Sequence, residues 1–460
     1  MKILLVKPYN LSDHIQPSLG LGYLAQSARK DHEVRILDCI KERVDIGRLG
    51  AYLKKYSPDV VGFQCYTFDL KFVKSALKTA KNINRSVITA VGGPHPSAMP
   101  SETMRYMGRD VDYLFAGEAE ASFPKLLDIL SNAKGDLASV PGLVWREEDR
   151  VRSNPAFYIE DLDAVGLPAW DLIRPEDYPE AQHGAFFRKF PIAPIMLTRG
   201  CPYPCTFCAG KVVSGRKIRK RGIDSVLGEM KMLYKEHGIR EFHVIDDNFT
   251  MDASYAKEFL KRLKGLGLDI SWAVPNGVRM ETLDPEMLKL MKDTGLYLIS
   301  LGIESGSDEI LRLMKKGNTV SKIRECVRTI NGSGIDVAGF FILGYPGETE
   351  ESIKKTIRFS LELGLVRANF FTYLPFPGSE SYDQLASAGE LDRVDWDNFY
   401  FMNAAYVPPG LTRKKLKSLQ RLAFAAFYLR PKIMLYNIRS IKSFRHLMFL
   451  VKRFFRWIFK

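Results

Sequence analysis

Three cysteines stand close together near the middle of the chain, at Cys201, Cys205 and Cys208 in Leu-Thr-Arg-Gly-Cys-Pro-Tyr-Pro-Cys-Thr-Phe-Cys. Thiolates bind iron–sulfur clusters and zinc, and closed sites of both kinds normally have four protein ligands. Three thiolates can hold three irons of a four-iron cluster and leave the fourth iron open for chemistry. A structural zinc site is the alternative, although no Cys or His follows at zinc-finger spacing. A disulfide knot is a further alternative.

The cysteine spacing, with the aromatic Phe207 just before the last cysteine, resembles the cluster loop of radical S-adenosylmethionine (SAM) enzymes. In that family the amino and carboxylate groups of SAM chelate the open iron. One electron from the cluster then cleaves SAM to methionine and a deoxyadenosyl radical. The resemblance implies a 4Fe-4S cluster on the three cysteines and places Phe207 beside SAM.

Composition limits the class of protein. The chain has 460 residues, nearly half of them apolar, which is enough for at least two hydrophobic cores. Six cysteines in this length are few, and we expect a reducing cytoplasm. The first apolar run ends at Lys7 and Pro8, too early for a signal peptide, so we expect no export.

The net charge of +14 comes from the last fifty residues. Residues 411–460 contain 14 of the 67 basic residues and none of the 53 acidic ones, so the remainder of the chain is balanced. A balanced body does not indicate nucleic-acid binding, and we expect no nucleic-acid partner.

Strands and helices alternate over the first 130 or so residues, which predicts a doubly wound, Rossmann-like parallel sheet. The predicted strands are Lys2–Lys7, His32–Cys39, Pro58–Gln64, Val87–Val91 and Tyr113–Ala116. The predicted helices are Leu19–Lys30, Ile46–Tyr56, Phe72–Ile83, Ser101–Met107 and Ala119–Leu130.

Turns rich in small residues follow three of these strands, where the ligands of such sheets bind. They are Cys65-Tyr66-Thr67, Gly92-Gly93-Pro94-His95-Pro96 and Gly117-Glu118-Ala119-Glu120. The ordered set resembles the cobalamin-binding domain that precedes the radical SAM domain in one large family. The resemblance implies that Thr67, Gly92, Gly93 and Glu118 contact cobalamin, with the hydroxyl and double-glycine loops along its nucleotide tail. Such a domain also persists without its cofactor, which stays an alternative.

The loop after the first strand departs from a common cobalamin motif. Many cobalamin domains carry Asp-x-His-x-x-Gly there, and its histidine ligates cobalt from below. Here Asp13 and His14 are adjacent, so the spacing differs. Members of the resembling family often lack that histidine, and we expect His14 to be a solvated loop residue.

The remaining chain divides into three predicted parts after a first domain at 1–138. Residues 139–194 contain a hairpin (Gly142–Trp145, Val151–Pro155) and a Pro-rich crossing, and are interpreted as a linker. Residues 195–380 alternate strands and helices in six units, which suits the partial (β/α)6 TIM-type barrel of the radical SAM fold. Residues 381–460 form a helical C-terminal tail.

The barrel strands are predicted from Ile195 to Thr198 and at Glu241–Ile245, Ser271–Val274, Leu296–Gly302, Asp336–Leu343 and Ala368–Tyr373. Barrel sites gather at the carboxyl ends of strands. Asp246 follows the second strand in Asp-Asp-Asn-Phe-Thr and resembles a family segment near the SAM amino group, where a carboxylate suits the cation. Capping of the next helix is its alternative role. Arg279 follows the third strand and suits the SAM carboxylate, with a surface salt bridge as the alternative.

Two later motifs supply further candidate SAM contacts. Glu304 and Ser305, in Leu-Gly-Ile-Glu-Ser-Gly-Ser, are expected to meet ribose hydroxyls. Gly344, in Phe-Phe-Ile-Leu-Gly-Tyr-Pro-Gly-Glu-Thr, resembles the fifth-strand glycine that passes the adenine. Each motif alone also fits a strand end followed by a turn.

The last residues have a helical period with apolar and basic sides. The apolar side is Ile441, Phe444, Met448, Val451, Phe455 and Ile458, with Trp457 nearby, and the basic side is Lys442, Arg445, Lys452, Arg453 and Arg456. Such a helix is typical of a segment that lies in a membrane interface. Its basic residues interrupt any apolar run that would be long enough to span a bilayer. A helix docked on the protein's own surface is the alternative.

Together these features predict a cobalamin-dependent radical SAM enzyme that functionalises an unactivated carbon, with methyl transfer as the leading reaction. A small-molecule or lipid substrate such as an isoprenoid, and a reductase, flavodoxin or ferredoxin as electron donor, are the expected partners. We expect a cytoplasmic protein with peripheral contact at the inner membrane face through residues 411–460.

The alternatives are a radical SAM cyclase or ring-contracting enzyme, a transfer-RNA methylthiotransferase and a non-catalytic cobalamin sensor. A methylthiotransferase needs three N-terminal cysteines, whereas that region has Cys39 and Cys65. The intact cluster and SAM motifs disfavour a sensor.

Overall fold

The computed structural model describes residues 1–10, 15–180, 187–448 and 450–451. The chain forms two compact units, each with its own sheet. The first unit is Met1–Pro179 with Ala209–Ser225, and the second is Glu180–Cys208 with Val226–Lys460.

The first unit contains a seven-stranded sheet, with strands β1 (Lys2–Lys7), β2 (Glu33–Asp38), β3 (Val60–Gln64), β4 (Ile88–Gly92), β5 (Tyr113–Phe115), β6 (Leu143–Glu147) and β7 (Arg150–Ser153). The order is β2-β1-β3-β4-β5-β6-β7. Strands β1 to β5 are parallel, and β6 and β7 extend the sheet in antiparallel pairs. The parallel part has the strand order of a doubly wound fold, which binds ligands beyond the carboxyl ends of its strands.

Helices cover both faces of this sheet. The helices of this unit are α1 (Leu19–Ala28), α2 (Ile46–Tyr56), α3 (Leu70–Ile83), α4 (Pro94–Ala98), α5 (Pro100–Met107), α6 (Ser122–Asn132), α7 (Trp170–Ile173) and α8 (Gly210–Ser214). Alternation along β1 builds the two cores, because successive side chains point to opposite faces. Leu4 and Val6 pack with residues of α2 and α3, while Ile3 and Leu5 pack with residues of α1 and α6.

The strands after β7 are β8 (Ile192–Ile195), β9 (Thr198–Arg199), β10 (Arg219–Lys220), β11 (Glu241–Val244), β12 (Ser271–Val278), β13 (Leu296–Glu304), β14 (Asp336–Leu343) and β15 (Arg367–Thr372). The sheet of the second unit has the order β15-β14-β13-β12-β11-β8, and every pair in it is parallel. Six parallel strands in chain order form the predicted partial barrel sheet.

The helices after α8 are α9 (Ile223–Glu236), α10 (Ala253–Gly265), α11 (Pro285–Asp293), α12 (Asp308–Leu313), α13 (Val320–Gly332), α14 (Glu350–Glu362), α15 (Glu380–Ser387), α16 (Arg413–Tyr428) and α17 (Pro431–Arg439). Those between the barrel strands return the chain to the start of the next parallel strand. Asp252, Asp284 and Thr349 cap α10, α11 and α14 through their side-chain oxygens.

The first barrel strand differs from the prediction. We expected it from Ile195 to Thr198, but β8 lies at Ile192–Ile195, where it pairs with Glu241–Val244. Leu197 and Thr198 lie beyond the end of β8 and donate hydrogen bonds to a carboxylate, described below, and Thr198 begins the short strand β9.

The predicted division into four parts, with its three boundaries, stays a prediction, and the contacts divide the chain differently. The hairpin expected in the linker is present as β6 and β7, on the edge of the first sheet. Residues 209–225, predicted inside the barrel domain, belong to the first unit.

The described part of the C-terminal region contains α15, α16 and α17, while residues 388–412 between α15 and α16 form no α-helix. Residues 444–448 follow α17 as a further helical stretch. Residues 452–460, with Lys452, Arg453, Phe455, Arg456, Trp457 and Ile458, lie outside the described residues. Within the described part of the chain, no helix combines the length and the apolar character needed to cross a bilayer.

Candidate functional site

The three clustered cysteines lie on an irregular loop between β9 and α8. Cys201 and Cys205 are partly buried and Cys208 is exposed. All six cysteines, each within the described ranges, are free thiols, so the disulfide alternative is wrong. Burial raises the pKa of the Cys201 thiol, Asp247 and Cys205 add to this, and the Arg279 guanidinium opposes it.

The donor set of this loop fits an iron–sulfur cluster. Among the described residues, no three His, Cys, Asp or Glu side chains converge on a site for a single metal ion. A four-iron cluster makes a different demand, since each of its irons takes its own thiolate. Three thiols on one short loop meet that demand.

Thr206 anchors the middle of the cluster loop. Its N–H donates to the carbonyl of Met314 at 3.0 Å, and its carbonyl accepts from the N–H of Ser381 at 2.8 Å. Its hydroxyl lies 2.7 Å from the hydroxyl of Tyr345, just after β14. Thr206 is buried, so these bonds are shielded from water and fix the loop between its last two cysteines.

Asp246 lies just after β11 and holds the chain that leads into the cluster loop. One carboxylate oxygen accepts from the N–H of Leu197 at 2.8 Å, and the other accepts from the N–H and hydroxyl of Thr198 at 2.7 and 2.8 Å. Burial raises the pKa of Asp246 to about 7, although these bonds act in the opposite direction. Asp246 does not cap the next helix, since Asp252 does. Both of its oxygens are engaged away from solvent.

Its neighbour Asp247 is exposed. One oxygen of Asp247 accepts from the N–H of Gly200 at 3.2 Å, directly before Cys201. The carboxylate at the mouth of the loop is therefore Asp247, whereas Asp246 lies beneath it.

Arg279 follows β12 and reaches the cluster loop. Its guanidinium carbon lies 3.8 Å from the ring centroid of Tyr203, which stands between the first two cysteines. The same group donates to both carboxylate oxygens of Glu281, at 3.1 and 2.9 Å, and to the carbonyl of Lys316 at 2.8 Å. Arg279 is only 9% exposed, whereas the side chain of its partner Glu281 is 38% exposed. The salt bridge that we considered as the alternative role of Arg279 is therefore present at the edge of the surface, and its role toward SAM stays a prediction.

Glu304, the last residue of β13, forms a largely buried ion pair. Its carboxylate accepts from the ammonium of Lys316 at 2.8 Å. The ammonium also lies 5.7 Å from the ring centroid of Phe207, inside the range of a cation–π contact. Burial lowers the pKa of Lys316, but Glu304 and Cys205 outweigh it, so the net shift is upward.

The structure does not bring Ser305 or Gly344 to this cluster of contacts. Ser305 is fully buried, and its hydroxyl lies 3.1 Å from that of Thr356 on α14. Gly344 has φ +82°, and a Cβ there would lie 2.7 Å from the Leu416 side chain on α16. Its N–H donates to Glu348 at 2.6 Å. The predicted contacts of Ser305 and Gly344 with SAM stay predictions, and the positions of the two residues do not favour such contacts.

In the first unit, the predicted turns lie together at the carboxyl ends of β3 and β4. The hydroxyl of Thr67 lies 3.1 Å from Nδ1 of His95, and both residues are buried. Gly93 has φ +109°, and a Cβ there would lie 3.1 Å from the backbone N and O of Cys65. A Cβ on Gly92 would meet only Phe115, at 3.8 Å. The loops after β3 and β4 thus approach each other through backbone atoms without an intervening side chain. This arrangement fits a ligand that lies along the two loops.

Glu118 is placed differently from its prediction as a cobalamin contact. Both of its carboxylate oxygens accept from the guanidinium of Arg219 at 2.7 Å, and one also accepts from the N–H of Ile159. The carboxylate is buried and its acceptors are used within the first unit. Asp13 and His14, of the cobalt-ligand motif, lie outside the described residues.

Sequence reasoning gave no role to Tyr203, Lys316 or Arg219. Tyr203 stands inside the cysteine motif, which was its only signal. Lys316 lies in Met314-Lys315-Lys316-Gly317, the continuation of the family-like Glu304 segment, but no role was given to its side chain, and Arg219 lies in a basic run. Their partners are Arg279, Glu304 and Glu118, which the sequence assigned to cofactors.

Two family models match the chain. The B12 binding domain matches residues 12–127, and the Radical SAM superfamily matches residues 195–360. Both lie where the sequence predicts domains of these kinds, and in that order. With the parallel strands β1 to β5 of the first sheet and the parallel second sheet, they confirm the predicted fold class.

Several proteins that are named methyltransferases or methylases are similar over most of the chain. An uncharacterized methyltransferase of Pyrococcus horikoshii is 33% identical, over 100% of this chain and 98% of its own. Cytidylyl-2-hydroxyethylphosphonate methyltransferase of Streptomyces wedmorensis is 30% identical, over 85% of this chain and 83% of its own length. Hopanoid C-3 methylase of Methylococcus capsulatus is 27% identical, over 79% of this chain and 68% of its own length.

A solved structure has the same fold. The radical S-adenosylmethionine methyltransferase TsrM of Kitasatospora setae, with cobalamin and a 4Fe-4S cluster bound, matches with a TM-score of 0.68 at 20% identity. The match covers 92% of this chain and 85% of that one.

Proposed function

Because this chain belongs to the radical SAM superfamily and carries a B12 binding domain ahead of its radical SAM domain, we propose that it methylates an unactivated carbon of its substrate. The chain is an enzyme of the cobalamin-dependent radical SAM kind. The observation that carries the proposal is the cluster loop, whose three free thiols stand on a segment fixed by Thr206.

Cys201, Cys205 and Cys208 would hold a 4Fe-4S cluster, and Gly92 and Gly93 would line the nucleotide tail of cobalamin. When bound, the cluster would supply the electron, SAM the radical that takes a hydrogen atom from the substrate carbon, and cobalamin the methyl group. The chain's own residues bind and orient these groups and exclude water.

Asp247, rather than Asp246, is proposed to meet the SAM amino group. Its carboxylate is exposed and adjoins the first cysteine through Gly200. Asp246 supports it by holding Leu197 and Thr198. Arg279 is proposed to meet the SAM carboxylate by exchanging Glu281 for it, since both are carboxylates suited to the same guanidinium fork.

The proposed substrate is an isoprenoid lipid. The relatives named above include a hopanoid methylase, but also a methyltransferase of a cytidylyl phosphonate, so their names do not fix the class. The C-terminal region favours the lipid. Six large apolar side chains there, each between 45% and 76% exposed, are Leu422, Leu429, Met434, Leu435, Ile438 and Phe444, called here the C-terminal apolar surface.

Basic residues lie among these apolar ones. Lys432, Arg439, Lys442 and Arg445 are exposed, and residues 411–460 contain no acidic residue. Exposed apolar side chains with basic neighbours bind anionic lipid surfaces through burial and charge together. We expect peripheral contact with such a membrane, which brings the enzyme to its substrate. The cytoplasmic location stays a prediction.

Lipid analysis tests the methyl transfer. Cells that express the chain should contain a lipid one methyl group heavier than its counterpart in cells that express Cys208→Ala, measured by mass spectrometry. A lipid that has lost hydrogens without gaining carbon would indicate cyclisation instead. Identical lipids in both strains would contradict the proposed substrate.

Flotation tests the membrane contact. The full chain should float with anionic phosphatidylglycerol vesicles, and the triple variant Leu429→Ser, Ile438→Ser, Phe444→Ser should not. Tyr106→Ser, an exposed apolar residue of the first unit, is the matched control and should float. Equal flotation of the triple variant would contradict the contact, and a dimer that the triple variant abolishes would indicate a second copy as the occupant.

A further inference from the structure

Lys316 occupies an unusual position for a lysine. It lies in the segment after α12, and its side chain is only 11% exposed. Its ammonium contacts two groups, the carboxylate of Glu304 at 2.8 Å and the face of the Phe207 ring at 5.7 Å. Phe207 adjoins Cys208 in the chain, so this contact places a buried positive charge against the cluster loop.

The backbone next to the Lys316–Glu304 pair leaves room for the two side chains. A Cβ on Gly302 would lie 2.6 Å from the Lys316 ammonium and 2.3 Å from a Glu304 oxygen, so any side chain at 302 would displace the pair. Glu304 has φ +63°, a left-handed conformation that is unfavourable for a non-glycine residue. Strain of this kind persists where the surrounding structure requires it, often at functional sites.

The segment that carries Lys316 is tied to the loop at two further points. Thr206 donates its N–H to the carbonyl of Met314, and Arg279, stacked on Tyr203, donates to the carbonyl of Lys316 itself. The position of the ammonium relative to the loop is therefore fixed by backbone hydrogen bonds as well as by its own contacts.

We propose that the Lys316–Glu304 pair sets the reduction potential of the iron–sulfur cluster, with Lys316 as a positioning residue that favours the reduced state. This inference rests on the proposed function, because it needs a cluster on the three cysteines. The step concerned is the uptake of one electron by the oxidised cluster from an external one-electron donor, with no bond made or broken.

The physical reason is electrostatic. Reduction adds one negative charge to the cluster, and net charge near a cluster is one of the factors that set its potential. A positive charge in a partly buried site stabilises the added electron more strongly than one in water, because screening is weaker there. The Glu304 carboxylate opposes this effect, so the two residues act with opposite signs.

A redox titration of the reconstituted full-length protein, followed by electron paramagnetic resonance, tests the proposal. Dithionite is the reductant and SAM is absent. At the wild-type midpoint, Lys316→Met should lower the ratio of reduced to oxidised cluster about tenfold, which for one electron is a shift of about 59 mV. Glu304→Gln should raise the ratio, and the double variant should lie close to wild type.

Lys315→Met is the matched control. It removes the same positive charge at the neighbouring position, but the Lys315 side chain is 52% exposed. It should change the ratio by less than twofold. If Lys316→Met and Glu304→Gln carry full iron and leave the ratio unchanged, or shift it in the same direction, the proposal is overturned. A wild-type chain that takes up no iron would overturn the proposed function instead, and the iron content tells the two failures apart.

Discussion

Arg219 binds Glu118 through two hydrogen bonds of 2.7 Å, and both side chains are almost fully buried. Arg219 also donates to the carbonyl of Ile159 at 2.6 Å, so the pair joins the turn after β5, the chain near Ile159 and the segment after the cysteine loop. All three belong to the first unit.

Removal of one partner should destabilise the first unit. Arg219→Met leaves the Glu118 carboxylate buried without its cation, and loss of one partner of such a pair costs about 3–5 kcal/mol. The measurement is urea unfolding followed by fluorescence. Lys217→Met, which breaks an exposed pair with Glu160, is the control and should cost less than about 1 kcal/mol. Equal losses in both variants would show that burial of the Arg219 pair does not matter.

Gly92→Ala should weaken cobalamin binding without unfolding the protein. A Cβ there has room, since its nearest neighbour would be Phe115 at 3.8 Å, but it would fill space along the two loops. Binding of hydroxocobalamin is measured by its absorbance, and we expect at least about a tenfold loss of affinity, or about 1.4 kcal/mol. Unchanged affinity would argue against a ligand at this turn.

Gly93→Ala separates this effect from strain. Gly93 has φ +109°, and a Cβ there would press on the backbone of Cys65. We expect a loss of stability of about 1–2 kcal/mol or more even without cobalamin, measured by urea unfolding of the apoprotein. Stability equal to that of Gly92→Ala would be inconsistent with the close approach of the two loops.

Tyr345→Phe should shorten the lifetime of the cluster. The change removes the hydroxyl that lies 2.7 Å from that of Thr206, but keeps the ring packed against Tyr373. A lost hydrogen bond of this kind is worth about 0.5–1.5 kcal/mol, so we expect a several-fold faster loss of iron to a chelator. Tyr406→Phe, whose hydroxyl donates to Glu390, is the control and should lose iron at the wild-type rate. Identical rates of iron loss for the wild type and both variants would show that the hydrogen bond between Thr206 and Tyr345 does not hold the cluster loop in place.

Glu348 should make stability fall as pH rises. Burial raises the pKa of this carboxyl to about 8 in the folded protein, against an ordinary value of 4.5. The stabilisation is present below pH 4.5, where both states are protonated, and is lost as pH rises towards 8. The loss is about 1.4 kcal/mol per pH unit within that window.

Glu348→Gln tests this, because the amide stays neutral at every pH. Urea unfolding at pH 5.5 and pH 8 should show a smaller difference for the variant than for wild type. A difference of the same size in both proteins would mean that other groups cause the dependence.

Much of the fold was predictable because its sheets are parallel and their strands are buried apolar runs. Ile46–Tyr56 and Asp336–Leu343 have the predicted bounds. The first barrel strand was placed too late in the chain because Leu197 and Thr198 have side chains that also occur in strands, and the sequence gives no sign that their N–H groups bond to Asp246, almost fifty residues later.

The site was less predictable than the fold. A motif places a residue at a strand end, but its tertiary neighbours decide where the side chain points. Ser305 turns to Thr356, and Glu118 turns to Arg219. A lysine in a Lys-Lys-Gly run gives no sign that it is buried, because the glutamate that pairs with it lies twelve residues earlier.

The central claim is that three thiolates of one loop hold a four-iron cluster. The direct measurement is the iron content and visible absorbance of the full-length protein after anaerobic reconstitution with iron and sulfide. We expect a brown protein with about four irons per chain, and a colourless one with almost no iron when Cys201, Cys205 and Cys208 are all replaced by alanine. A colourless wild-type protein, or a variant that keeps its colour and iron, would contradict the account.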